Sequence, residues 1–219
     1  MKKKVIILGG LGNGSVIASA IADANRRGFE EIEFAGYLND RKCKDDLISG
    51  DPVIGKLGDV DKFVKAGYLF INTIYRIDGQ RERIDLFHNL NIQAYSLATF
   101  IHPTAYVAPN VDLAPGVVIM PNVNISPDVK IGRCSLIMAG ATIGHNSKIG
   151  DYCHLAAQSC ISSFVKISAG VHIGLNATVR EGIHIREFSA LGMGSVLVED
   201  IPENEIWAGN PAKFLRKPK

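Results

Sequence analysis

The sequence has little that would mark a membrane, nucleic-acid or metal protein. Its apolar runs fall far short of the roughly 18 residues a membrane span needs. Its 24 Lys and Arg against 22 Asp and Glu leave a formal charge of +2, too balanced to suggest DNA, RNA or an acidic membrane as partner. The four cysteines (Cys43, Cys134, Cys153, Cys160) form no CxxC pair and share no spacing, so reduced thiols in a cytoplasm are expected. The start, Met1-Lys2-Lys3-Lys4 and then Val5–Leu8, breaks at Gly9-Gly10 with no cleavage-like segment, so an export leader is not expected.

What is present is a repeat. From Ile101 to Leu197 every sixth residue is aliphatic, 17 times of 17, and the position four further on is always small or aliphatic, as in Ala141, Ser147 and Cys153. A period of six is neither helical nor that of a plain amphipathic strand. It fits a short strand, a sharp turn, and another strand. Three hexads make one triangular coil of 18 residues with the large aliphatic side chains inside. Seventeen hexads give just under six coils, stacked at roughly 4.8 Å. The predicted architecture is a parallel β-helix over residues 98–201.

Residues 1–97 lack the hexad and alternate strand with helix: strands at 4–8, 33–38, 68–74 and 92–95, helices at 15–27, 56–66 and 79–90, a loop at 41–52. That order implies a small parallel α/β sheet. Gly9-Gly10-Leu11-Gly12-Asn13-Gly14 leads from the first strand into a helix N-terminus, a phosphate-friendly position. It lacks the last glycine of a dinucleotide fingerprint, which weighs against a nicotinamide oxidoreductase. Residues 202–219 leave the repeat; Pro202 and Pro211 are expected to stop strand continuation, and the segment to cap the last coil.

The hexads, the glycine loop after the first strand, Gly144-His145-Asn146-Ser147-Lys148-Ile149-Gly150-Asp151-Tyr152-Cys153-His154, Asp200-Ile201-Pro202 and Gly209-Asn210-Pro211-Ala212-Lys213 together resemble the hexapeptide-repeat sugar O/N-acyltransferases. These include the sialic acid O-acetyltransferases and the nucleotide-linked amino-sugar N-acetyltransferases of bacterial glycan synthesis. The resemblance covers nearly the whole chain. It implies a left-handed β-helix preceded by a small Rossmann-like domain, acetyl-CoA as co-substrate, no metal, and a homotrimer with active sites between adjacent β-helices.

It also implies roles. His145 becomes the general base, the usual choice near neutral pH. Asn146 stands where the family often has an acid; it hydrogen-bonds an imidazole but adds no negative charge. His154 matches a family position near donor and acceptor. Gly10, Gly12, Asn13, Gly14, Asn39 and Asp40 would bind a nucleotide-diphosphate sugar, although Leu11 replaces the family's histidine. Ser163, Gly174, Gly192 and Gly194 would line the CoA groove, with Lys213, and with it Arg216, Lys217 and Lys219, near the CoA phosphates. The bland alternative is that these glycines serve coil corners. His154 and His172, one coil apart, should stack, with at least one neutral; no third ligand accompanies them as a metal site requires. His88, His102 and His184 read as structural or exposed. The expected function is acetyl-CoA-dependent N-acetylation of a nucleotide-linked amino sugar, with sialic-acid-type O-acetylation as the alternative and a non-catalytic scaffold as the contrasting class.

Overall fold

The computed structural model describes residues 2–29 and 31–219. Seventeen two-residue strands run from Phe100–Ile101 to Val196–Leu197, and each ends on the aliphatic residue of one hexad. Partners lie 18 residues apart, as in Asn124 with Thr142, Lys130 with Lys148 and Leu136 with His154. Three parallel sheets result, one per side of a prism. The first face carries the strands at 100–101, 118–119, 136–137, 154–155, 172–173 and 190–191, the second those from 106–107 to 196–197, and the third those from 112–113 to 184–185.

The corners have their own period. From Gly116 to Gly194 every sixth residue has a positive φ, among them Asn122, Asp128, Gly140, Asn146, Phe164 and Asn176. Three residues past each inward aliphatic, the chain turns through the left-handed region that Gly, Asn and Asp accept most readily. The inward residues, Ile119 through Leu197, are buried, and the small residues beside them fill the interior. Ser147 shows how a small polar residue fits there: its Oγ donates to Ser162 O and accepts from Val165 N, so its hydroxyl is not left unpaired.

The amino-terminal part forms a sheet ordered β3–β4–β2–β1–β5, from β1 (Lys3–Leu8), β2 (Ile32–Leu38), β3 (Leu47–Ile48), β4 (Asp51–Gly55) and β5 (Leu69–Asn72), with helices α1 (Asn13–Arg26), α2 (Val60–Lys65) and α3 (Gln80–His88). Two expectations fail here. The 41–52 loop holds β3 and the start of β4, an antiparallel pair, so the sheet has five strands rather than three or four. Ile92–Tyr95 is not a strand; a 3₁₀ turn occupies Ala94–Ser96, and Leu97 alone bridges to Phe70. The helix expected over 56–66 opens as a 3₁₀ turn, Leu57–Asp59.

The two parts share a core. Outward residues of the first face, Phe100, Val118 and Leu136, pack with Val5, Ile7, Ile17 and Ile21 beneath the sheet. Further up the same outward column stand His154, His172 and Ala190. There the column turns from aliphatic to imidazole, and Tyr75 of the amino-terminal part packs on it.

The tail leaves the repeat and still adds two strands to the first face. Ile206–Gly209 pairs in parallel with Ala190–Leu191 and continues the first face, and Ala212–Arg216 folds back on it as a hairpin. Pro202 and Pro211 lie outside both strands, so the missing proline N–H costs the ladder nothing.

Candidate active site

His145 lies at the corner between the second and third faces, where the chain passes from Thr142–Ile143 to Lys148–Ile149. Its ring is exposed, and Nδ1 is 2.9 Å from Asn146 Oδ1. The Asn146 carbonyl oxygen faces the ring and accepts, so Nδ1 donates the proton and the Nε2 lone pair is left free. Asn146 does double duty: it is also the corner residue with φ 59°. One coil on, Phe164 occupies the equivalent corner and meets the imidazole edge-on, centroids 5.0 Å apart. Phe164 was not among the expected site residues, although its spacing of 18 from Asn146 was the available signal. Ser163, 18 residues after His145, holds the equivalent position one coil on.

His154 and His172 lie elsewhere, on the first face. Their rings stack with centroids 5.1 Å apart and planes 19° apart. Burial holds both imidazoles neutral, His154 pushed down to about 4 and His172 to about 3, the latter also by its neighbour. His154 is 6% exposed, and neither of its ring nitrogens has a hydrogen-bond partner among the described residues. A buried polar group left unpaired costs about 1–3 kcal/mol. These rings line a largely apolar cavity of about 460 Å³ with Asn13, Met138, Leu175, Met193 and Arg216.

Gly174 and Gly192 also line this cavity. Their lack of a side chain has a local cause: a Cβ on Gly174 would lie 2.5 Å from Met193 N, and one on Gly192 would lie 2.9 Å from the Ala208 Cβ. Gly194 is a corner residue with φ 64°. Coil stacking alone therefore accounts for these three glycines. The expected donor residues are split, with Ser163 one coil on from His145, Gly174 and Gly192 beside the first-face cavity, and Gly194 at a corner. Lys213 is paired with Glu199. Arg216 is engaged by Asp78 through both guanidinium nitrogens, and this pair holds the Asp78 carboxyl down at about 2.

A second cleft, about 640 Å³, opens at the carboxyl ends of β1, β2 and β5. Gly10, Asn39 and Asp40 line it. Their side chains are nevertheless committed to the loops: Asn39 Nδ2 donates to Gly9 O, and Asp40 Oδ1 accepts from Leu57 N. Gly10 allows that approach, since a Cβ there would lie 2.9 Å from Asn39 Nδ2. Gly14 presses α1 onto Ile7 and Thr73, and Gly12 is the residue before the helix. Asn13 faces the first-face cavity instead. The cations of the cleft are Arg41, Lys42, Arg76 and Arg83, none of them expected. Arg83, half-buried, has no ion-pair partner among the described residues. Scattered across two loops and a helix, these cations have no period to reveal them.

Among the described residues no group of three or more His, Cys, Asp or Glu is placed to hold a metal ion, and no helix is long and apolar enough to cross a membrane. His102 is tied to Thr104 and Asp23, and His184 to Ser168.

A three-sided hexapeptide prism joined to an α/β part with a ligand-sized cleft defines the class of the hexapeptide-repeat sugar acyltransferases. The chain belongs to the family described as the GMPPB C-terminal domain, which matches residues 96–206, more than half of its length. Among solved structures it is similar to PerB of Caulobacter crescentus in complex with CoA and GDP-perosamine: 28% identity over 97% of both chains, TM-score 0.81. It is also similar to the acetyltransferase domain of PglB from Neisseria gonorrhoeae: 25% identity over 98% of this chain and 100% of that one, TM-score 0.84. The latter domain has also been solved with acetyl coenzyme A. An acyl-[acyl-carrier-protein]–UDP-N-acetylglucosamine O-acyltransferase of Pseudomonas fluorescens is 34% identical over 83 residues, 38% of this chain. The chain spans only 27 to 32% of the length of the curated relatives it matches.

Proposed function

We propose that the chain is an acetyl-CoA-dependent N-acetyltransferase acting on a nucleotide-diphosphate-linked amino sugar, working as a cyclic trimer in the cytoplasm of a bacterium that builds a glycan. The carrying observation is end-to-end similarity to a protein crystallised with CoA and GDP-perosamine, together with a histidine whose Nδ1 is held and whose Nε2 is free. The left-handed winding of the prism and a nucleotide-binding role for residues 1–97 belong to this reading.

Within one chain the corner that carries His145 is opposite the first face, so His145 and the first-face cavity come together only between copies. In the trimer, His145 of one copy meets the cavity of its neighbour. The amine attacks the thioester carbonyl carbon; a C–N bond forms, His145 Nε2 takes the amine proton and hands it to the sulfur as the C–S bond breaks, so that CoA leaves as thiol and the imidazole returns neutral. Asn146 fixes the tautomer, and Phe164 restricts the ring. The backbone near Ser163, Gly174, Gly192 and Gly194 runs beside the donor. His154 is a neutral polar group in the cavity wall. The nucleotide occupies the cleft of residues 9–11 and 38–42, its phosphates met by Arg76 and Arg83 in addition to the amino end of α1. Lys213 is left out of donor binding, since Glu199 holds it.

The similarity to an O-acyltransferase favours a second reading, O-acetylation of a sugar hydroxyl. Thiol release from acetyl-CoA, measured with a panel of GDP-, UDP- and dTDP-linked 4-amino sugars and with sialic acid, separates the two. Turnover only with amino sugars is expected; turnover only with hydroxyl acceptors overturns the N-acetyl assignment.

A further inference from the structure

Two half-buried groups at the seam between the sheet and the prism have no part in that reading: Tyr75 and His172. Tyr75 follows β5 in a segment that touches both cavities, with Tyr75 and Arg76 lining the cleft and Ile77 the first-face cavity. Its Oη lies 2.5 Å from His172 Nδ1. Its ring also stacks on His154, centroids 4.6 Å apart. Among the described residues the His172 ring has no other hydrogen-bond partner.

Burial raises the Tyr75 phenol well above its ordinary range and lowers both imidazoles, so the phenol keeps its proton and His172 is neutral. A neutral imidazole has one N–H and one lone pair. A phenol is a stronger acid than an imidazole N–H, and an imidazole nitrogen is a better acceptor than a phenol oxygen. The pair therefore settles as O–H donating to Nδ1. The ring proton is then on Nε2, the far side of the ring from Tyr75.

We propose that Tyr75 is a positioning residue that locks His172 as its Nε2–H tautomer and so presents a neutral N–H donor in the first-face cavity to the carbonyl oxygen of the acyl thioester. The inference rests on the proposed acetyl-CoA site. The thioester oxygen gains negative charge as the amine attacks, and a donor already fixed in a water-poor cavity meets that charge without reorganising. The other tautomer would turn a lone pair toward the same oxygen and repel it. The neutral donor also avoids the cost of a buried charge beside His154.

The test uses Tyr75→Phe, which keeps the ring stack and removes only the hydroxyl. Nitrogen-15 histidine spectra of the wild-type chain should show His172 protonated at Nε2; protonation at Nδ1 overturns the proposal whatever the variants do. Titration calorimetry should show acetyl-CoA binding weakened about five- to tenfold in Y75F, while CoA, which lacks the carbonyl, changes less than twofold. Equal loss for both ligands, or no loss, overturns the donor role. Adding His172→Gln, whose amide N–H reaches the Nε2 position without help from Tyr75, should restore the preference for acetyl-CoA. A wild-type chain that binds neither ligand overturns the proposed function and this inference together. One that binds both, with Y75F unchanged, overturns this inference alone.

Discussion

His145 and His154 stand on opposite sides of one prism: the first at the corner between the second and third faces, the second on the outward column of the first face. Nine residues apart in sequence, they cannot serve one site within one chain. The corner supplies an exposed imidazole with a held Nδ1, and the face supplies a buried cavity with neutral rings. The proposed chemistry needs both, and in that reading only a second copy of the chain brings them together.

Replacing the proposed base should separate binding from turnover. In His145→Ala, kcat should fall about 100-fold or more, with acetyl-CoA affinity within twofold of wild type by calorimetry. Asn146→Ala loses the Nδ1 acceptor and also strains a corner at φ 59°; Asn146→Gly loses the acceptor alone. Both should lose turnover, and only the alanine variant should melt lower. Full activity in N146G would remove Asn146 from the mechanism.

The cleft cations should matter to binding and not to folding. Arg83→Ala should weaken binding of GDP or UDP about tenfold, with weaker salt dependence and an unchanged Tm. A lowered Tm with unchanged nucleotide affinity would make Arg83 a structural residue.

Acid should destabilise the fold through its first face. The folded chain holds His154 at about 4 and His172 at about 3, whereas the unfolded chain binds both protons near 6.5. These depressed values contribute stability that is complete above about pH 6.5 and is lost as pH falls toward 4, because only the unfolded state takes up the protons. The loss by pH 5 is on the order of 1–2 kcal/mol per imidazole, several degrees in Tm. Thermal melts at pH 7 and 5 should show it, and His154→Leu with His172→Leu should remove most of the difference. An undiminished difference would place the titration elsewhere.

The prism interior should be intolerant of cavities. Ile143 is fully buried, and Ile143→Ala should cost about 2–5 kcal/mol by denaturant unfolding, well above the cost of exposed Lys148→Ala on the next strand. Equal costs would contradict the inward assignment of the hexad.

The prism was legible because each hexad repeats one physical decision, a large aliphatic residue inside and a small one beside it, and the decision recurs from Ile101 to Leu197. The corners carried a second period that the reading passed over, since Tyr152 and Phe188 do not look like left-handed residues although both adopt that conformation. In the amino-terminal part, Leu47–Ile48 was hidden in a polar stretch; it is a two-residue edge strand with Leu47 exposed, too short for any period to show. The candidate site was legible in so far as its residues ride on the repeat, which fixes where His145, His154 and His172 stand on the prism. It was illegible where loops assemble it: Tyr75 and Arg83 meet their cavities through the packing of sheet on prism, and no spacing in the chain encodes that. Asn39 and Asp40, read from the sequence as nucleotide-binding residues, line the cleft, but hydrogen bonds to Gly9 and Leu57 claim their side chains.

The most direct test of a shared site is subunit mixing. Two inactive variants, His145→Ala and one with Arg76 and Arg83 both changed to Ala, are co-expressed and assayed for thiol release against each expressed alone. A site built from His145 of one copy and the cleft and cavity of another regains a substantial fraction of wild-type turnover in the mixed assemblies. Activity no greater than the sum of the two variants alone would contradict the account.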